Sequence, residues 1–90
     1  GGAPWVVKNV SFPHGTELRA TYKGIEYRAV VENSKLVLNG KFFRSPSAAA
    51  VSITGNPVNG WIFWECRFPG QNHWIKIKKL RDQKLMEAGG

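Results

Sequence analysis

The stretch FFRSPSAAAVSITGNPVNGWIFW, residues 42–64, passes from strand to helix to loop and back to a strand pattern. Ser45 fits a helix N-cap, where a hydroxyl accepts from an otherwise orphan amide. Pro46 suits the first helical position, because its missing N–H costs nothing there. Ala48, Ala49 and Ala50 are the best helix formers and carry almost no side-chain bulk. A helix so lean is expected to lie close against a sheet. Gly55 can take the left-handed conformation that closes it. Asn56, Pro57, Asn59 and Gly60 then read as a loop, and Trp61-Ile62-Phe63-Trp64 restarts as a strand.

Upstream, the pattern is a meander. Leu18, Ala20 and Tyr22 alternate with Glu17, Arg19 and Thr21; after the turn at Lys23-Gly24, Tyr27, Ala29 and Val31 alternate with Glu26, Arg28 and Glu32. One face of that hairpin is predicted to be buried, the other wet. Glu17, Arg19, Glu26 and Arg28 on the wet face are expected cross-strand partners, each pair contributing a few tenths of a kcal/mol, on the order of 0.2–1. Asn33-Ser34 turns the chain into Leu36-Val37-Leu38. Asn39-Gly40, the strongest short hairpin signal, returns it through Lys41-Phe42-Phe43-Arg44. Residues 1–14, with Trp5, Val6, Val7, Val10 and Phe12, are expected to form an arm that adds an edge strand or packs over the sheet.

Downstream, Trp61 to Phe68 reads as a strand apolar on both sides, hence central or covered by the helix. Pro69-Gly70-Gln71-Asn72 turns it, and His73 to Ile77 pairs as a further strand. Lys78 to Met86 is composed of helix formers. The fold class is therefore α+β: a small antiparallel meander and hairpin sheet, one short alanine-rich helix packed on it, and a short basic C-terminal helix. The expected organisation is an arm over 1–14, a single domain over 15–86 and a tail over 87–90.

Thirteen Lys and Arg against six Asp and Glu leave +7 on 90 residues. Residues 73–90 carry five cations and two acids, so a fifth of the chain holds +3 of that excess. A pI near 10.0 is a footprint of nucleic-acid binding. The single cysteine, Cys66, excludes an internal disulfide and a paired-cysteine metal clasp, and a reducing compartment is expected. No apolar run reaches the roughly 18 residues of a membrane span, and no signal-peptide pattern opens the chain; a module of a longer, intracellular protein is expected.

Catalysis has thin support. There are two histidines, His14 and His73, one cysteine, one aspartate and five glutamates. A Cys66–His73 pair can meet across the hairpin at Pro69-Gly70, but no orienting group or oxyanion site accompanies it. Zinc-ligand spacing, a P-loop and a dinucleotide fingerprint are all missing from the sequence, so no enzyme activity, metal or cofactor is expected.

Binding has three candidate features. Arg44, Ser45 and Ser47 surround the helix start, where amides and dipole hold a phosphate; Lys41 adds charge nearby. The plainer reading is that Ser45 only caps. Asn59 and Trp61 form the second, an amide that can read adenine and a ring that can stack on a base. Against this, four tryptophans in so small a chain are mostly core. The third is basic: Lys76, Lys78, Lys79 and Arg81, with Arg67 and His73 expected to share their face, would contact phosphates without reading sequence.

The series S-P-S-A-A-A, then T-G, then N-G-W-x-F-W, with the hairpins GTELRATYKGIEYRAVV and KLVLNGKFFRSPSAAA before it, resembles the RAMA domain, the restriction enzyme adenine methylase associated domain. The likeness spans about residues 15–82. It implies a non-catalytic, monomeric module that binds duplex DNA and reads modified bases such as N6-methyladenine. It also implies a parent protein that carries or recruits a nuclease, methylase or chromatin subunit, in a bacterial cytoplasm or nucleoid or a eukaryotic nucleus. The rival expectation is a protein-interaction module for an acidic partner, with Trp5, Trp74 and Phe68 as its surface.

Overall fold

A computed structural model describes residues 2–89, over which eight strands and three helices follow one another. The first two strands arise where no glycine announces a turn. β1 (Trp5–Val7) and β2 (Val10–Phe12) pair antiparallel, Trp5 opposite Phe12. Lys8 and Asn9 make the turn with φ of 51° and 66°, a left-handed pair that asparagine tolerates and lysine adopts at a cost. Trp5, Val10 and Phe12 are buried, so the arm expected over 1–14 supplies part of the core.

β3 (Glu17–Tyr22), β4 (Ile25–Glu32), β5 (Lys35–Leu38) and β6 (Lys41–Phe43) form the expected meander, with left-handed backbone at Lys23-Gly24, Asn33-Ser34 and Asn39-Gly40. α1 (Pro46–Thr54) follows. Ser45 Oγ accepts from the Ala48 amide at 3.0 Å, and Gly55 closes the helix at φ 71°. Ala49 and Ala50 are fully buried, which is why only alanine serves there.

The next segment corrects the sequence reading. Gly60 to Phe63 is a helical turn, α2 (Gly60–Phe63), and not the start of a strand. Trp61 and Trp64 are both buried, the i, i+3 spacing of a helix face; alternation would have put them on opposite sides. β7 is confined to Glu65–Arg67 and β8 to Ile75–Lys76, both shorter than expected. α3 (Ile77–Gly89) begins one residue earlier than predicted and takes in residues 87–89 of the expected tail.

Strands β3 to β8 make one antiparallel sheet in the order β6-β5-β4-β3-β7-β8. Leu18, Ala20, Ala29, Val31, Leu36, Leu38 and Cys66 point to one face, where the helices and the β1–β2 hairpin cover them. Register places Glu17, Arg19, Arg28, Glu65 and Arg67 on the other. The molecule thus has a helix side, an open sheet face, and two sheet edges about 24 Å apart at ordinary strand spacing.

Candidate nucleic-acid interface

The helix start expected to hold a phosphate is closed by the protein itself. Pro46 has no amide, the Ala48 amide is taken by Ser45 Oγ, and the Ala49 amide reaches the Ser45 carbonyl. Gly60 lies on what remains: a Cβ there would stand 2.1 Å from the Pro46 carbonyl carbon and 2.3 Å from the Ser47 nitrogen. Ser47 Oγ accepts from the Gly60 amide at 2.9 Å, and Trp64 Nε1 donates to the Pro46 carbonyl at 3.0 Å. Asn59 Oδ1 accepts from the Trp61 amide at 3.0 Å and caps α2. S-P-S and N-G-W are therefore two halves of one joint, in which the starts of α1 and α2 satisfy each other.

Ser45 Oγ and Ser47 Oγ both accept backbone amides here, one capping α1 and the other seating the start of α2. Trp61 is 6% exposed, packed near Phe12 with a ring separation of 6.3 Å, and the Arg81 guanidinium lies 5.4 Å from its ring. Stacking an incoming base on Trp61 would require opening the core. Asn59 is exposed, but its acceptor is in use.

The basic residues do not gather on one face. Lys41 and Arg44 lie at or just beyond the β6 edge, and Lys76 and Lys78 at the β8 end. Arg67 and Lys76 face the open sheet surface, among acids. There Arg67 donates to Glu17 at 2.9 Å, Arg19 to Glu65 at 2.5 Å and Arg28 to Glu17 at 3.3 Å. The Arg67 hydrogen bond holds the Glu17 carboxyl below its ordinary range; burial opposes it, and the attraction of Arg67 and Arg28 adds to the lowering. Trp74 lies among these guanidiniums, 4.1 Å from Arg19, 4.7 Å from Arg67 and 5.0 Å from Arg28. Such contacts contribute about 0.5–1 kcal/mol each at exposed sites. Glu17, Arg19, Glu26 and Arg28 share this face as the alternation predicts, and Arg28 pairs with both Glu17 and Glu26; the part played by Glu65, Arg67 and Trp74 escaped the sequence reading. His73 is exposed in the loop before β8.

The helix side is different. The chain carries no carboxylate between Glu32 and Glu65, so α1 and α2 have none. On α3, Asp82 is paired with Lys78 at 2.6 Å and Glu87 with Lys84 at 3.7 Å. Of thirteen cations, Arg19, Arg28, Arg67, Lys78 and Lys84 have a carboxylate within 4.0 Å; the other eight, Arg44, Lys79 and Arg81 among them, have none among the described residues. Arg81 lies against Trp61 of α2, and Arg44 directly precedes the α1 cap to which α2 is joined; Asp82 and Glu87 are the carboxylates of α3.

Cys66 is fully buried on β7, and burial pushes its thiol up to about 12, with nearby Glu65 adding to the shift. The reactive thiolate is thereby suppressed. Iodoacetamide should leave Cys66 unmodified in native protein at mildly alkaline pH and alkylate it fully in denaturant, followed by mass; rapid native labelling would contradict this placement. His14 Nδ1 accepts from the Asn33 amide at 3.1 Å, tying the segment before β3 to the β4–β5 turn.

Compared with known proteins, residues 5–67, from β1 through β7, match a family model described as a protein of unknown function. No curated protein and no solved structure matches the chain.

Proposed function

The chain belongs to the DUF2924 family, and we propose that it is a non-catalytic module that binds the sugar–phosphate backbone of duplex DNA with its helix side. The observation that carries this is the segregation of charge. Glu17 and Glu65 on the open sheet face are paired there by Arg19, Arg28 and Arg67, whereas α1 and α2 carry no carboxylate and Arg44, Lys79 and Arg81 have none within 4.0 Å among the described residues. Uncompensated cations on one side of a small basic domain release counterions when they meet phosphates, and they set affinity without reading sequence. The RAMA resemblance points the same way.

Base reading has less to work with. With Trp61 buried, the free amide of Asn59 is the group nearest a base, so binding responds weakly to adenine methylation. One buried methyl contributes about 0.8 kcal/mol, about fourfold in affinity. A fluorescence titration of a labelled duplex against salt tests the proposal. If about four phosphates are neutralised, the log–log slope is about −3.6, and affinity falls about 150-fold between 50 and 200 mM salt. No binding at 50 mM salt would discard it.

A further inference from the structure

We propose that the groove between β1 and the free edge of β6 receives an acidic peptide segment carrying an apolar anchor, at a site that shares Arg44 with the proposed DNA surface but neither Lys79 nor Arg81. The groove encloses about 510 Å³ and is lined chiefly by Trp5, Val6, Lys35, Phe42, Phe43 and Arg44. Phe42 is 64% exposed and Val6 61%, although both are large and apolar. Exposed apolar surface gathered in a groove marks a contact site more often than scattered side chains do. Its rim is cationic: Lys35 and Arg44 have no carboxylate within 4.0 Å. Glu32 stands opposite Lys35 in register, yet the Lys35 ammonium lies over the Phe42 ring, 4.6 Å from its centroid.

The floor is therefore apolar and the rim positive, the complement of an aromatic or aliphatic side chain flanked by carboxylates. β6 ends the sheet, and among the described residues no strand pairs with its outer side, so an extended segment can lie along it. A single-stranded nucleic acid fits less well. Strand-tracking surfaces stack successive bases on several rings, and here Phe42 is the exposed ring, with Lys35 already over it, while Trp5 is only 2% exposed.

The test uses a short fluorescein-labelled peptide with two phenylalanines set among glutamates, a matched peptide with lysines for glutamates, and a labelled single-stranded oligonucleotide. The acidic peptide is expected to bind, to shift amides of β6 and of Val6, and to lose at least about tenfold in affinity on Phe42→Ala and on Lys35→Glu. Circular dichroism checks that these surface variants keep their fold. The proposal is overturned if the acidic peptide does not bind, if binding survives either substitution, if the lysine peptide binds equally, or if the oligonucleotide occupies the groove more tightly. The duplex titration is read separately, since Phe42→Ala and Lys35→Glu leave Arg44, Lys79 and Arg81 in place.

Discussion

Gly60→Ala is expected to cost about 3 kcal/mol or more and to lower the melting temperature by about 12–24 °C, because the added carbon would meet backbone and not a side-chain tip. Its nearest neighbours would be the Pro46 carbonyl carbon at 2.1 Å, the Ser47 nitrogen at 2.3 Å and the Pro46 oxygen at 2.4 Å. None of these can move without shifting the start of α1, which is fixed by Ser45 Oγ and by Trp64 Nε1. For a domain whose whole stability is roughly 5–13 kcal/mol, the loss is a large fraction. Gly24→Ala makes the control: nothing lies within 4 Å of the new carbon, and only the left-handed φ of 79° resists it. That substitution should cost about 1 kcal/mol. Calorimetry of the two variants reads the comparison directly, and equal melting shifts would show that the α1–α2 joint is looser than described.

Trp64→Ala should destabilise by about 3–5 kcal/mol, enough to unfold much of the population at physiological temperature. Trp64 is fully buried, packs edge-on to Phe63 at 5.1 Å and donates to the Pro46 carbonyl. Trp64→Phe separates these contributions. It keeps much of the apolar volume but removes the indole donor to the Pro46 oxygen, a loss of about 0.5–1.5 kcal/mol. Urea midpoints should therefore fall in the order wild type, Trp64→Phe, Trp64→Ala. A Trp64→Phe variant as stable as wild type would remove the hydrogen bond from the account.

These two positions mark where the sequence stops being legible. The cap at Ser45, the stop at Gly55 and the turn at Asn39-Gly40 are local devices, each readable from neighbours in the chain, and all three are in place. The β1–β2 hairpin is not, because Lys8-Asn9 forms its turn without the glycine that signals one. At Trp61 to Trp64 an aromatic run fits a strand equally well. What makes it helical is Asn59 as a cap and Gly60 seated on Pro46 and Ser47, thirteen residues away along the chain for the Ser47 bond. The site suffers for the same reason. Ser-Pro-Ser reads as a phosphate seat only while its amides are free and accessible; the Ser45 cap takes the Ala48 amide, and Gly60 lies against the Ser47 nitrogen. Charge, by contrast, was legible in amount but not in layout: register sends Arg67 and Lys76 to the open sheet face, away from Arg81.

If duplex DNA binds as proposed, the helix side around α1, α2 and the start of α3, and not the ion-paired sheet face, meets the phosphates. Residue-by-residue amide shifts during titration with a duplex at low salt test it most directly. Shifts are expected at Arg44, around Asn59 and along the first two turns of α3, with little change for matched methylated DNA. Shifts centred instead on Arg19, Arg28 and Trp74, or none at all, would contradict it.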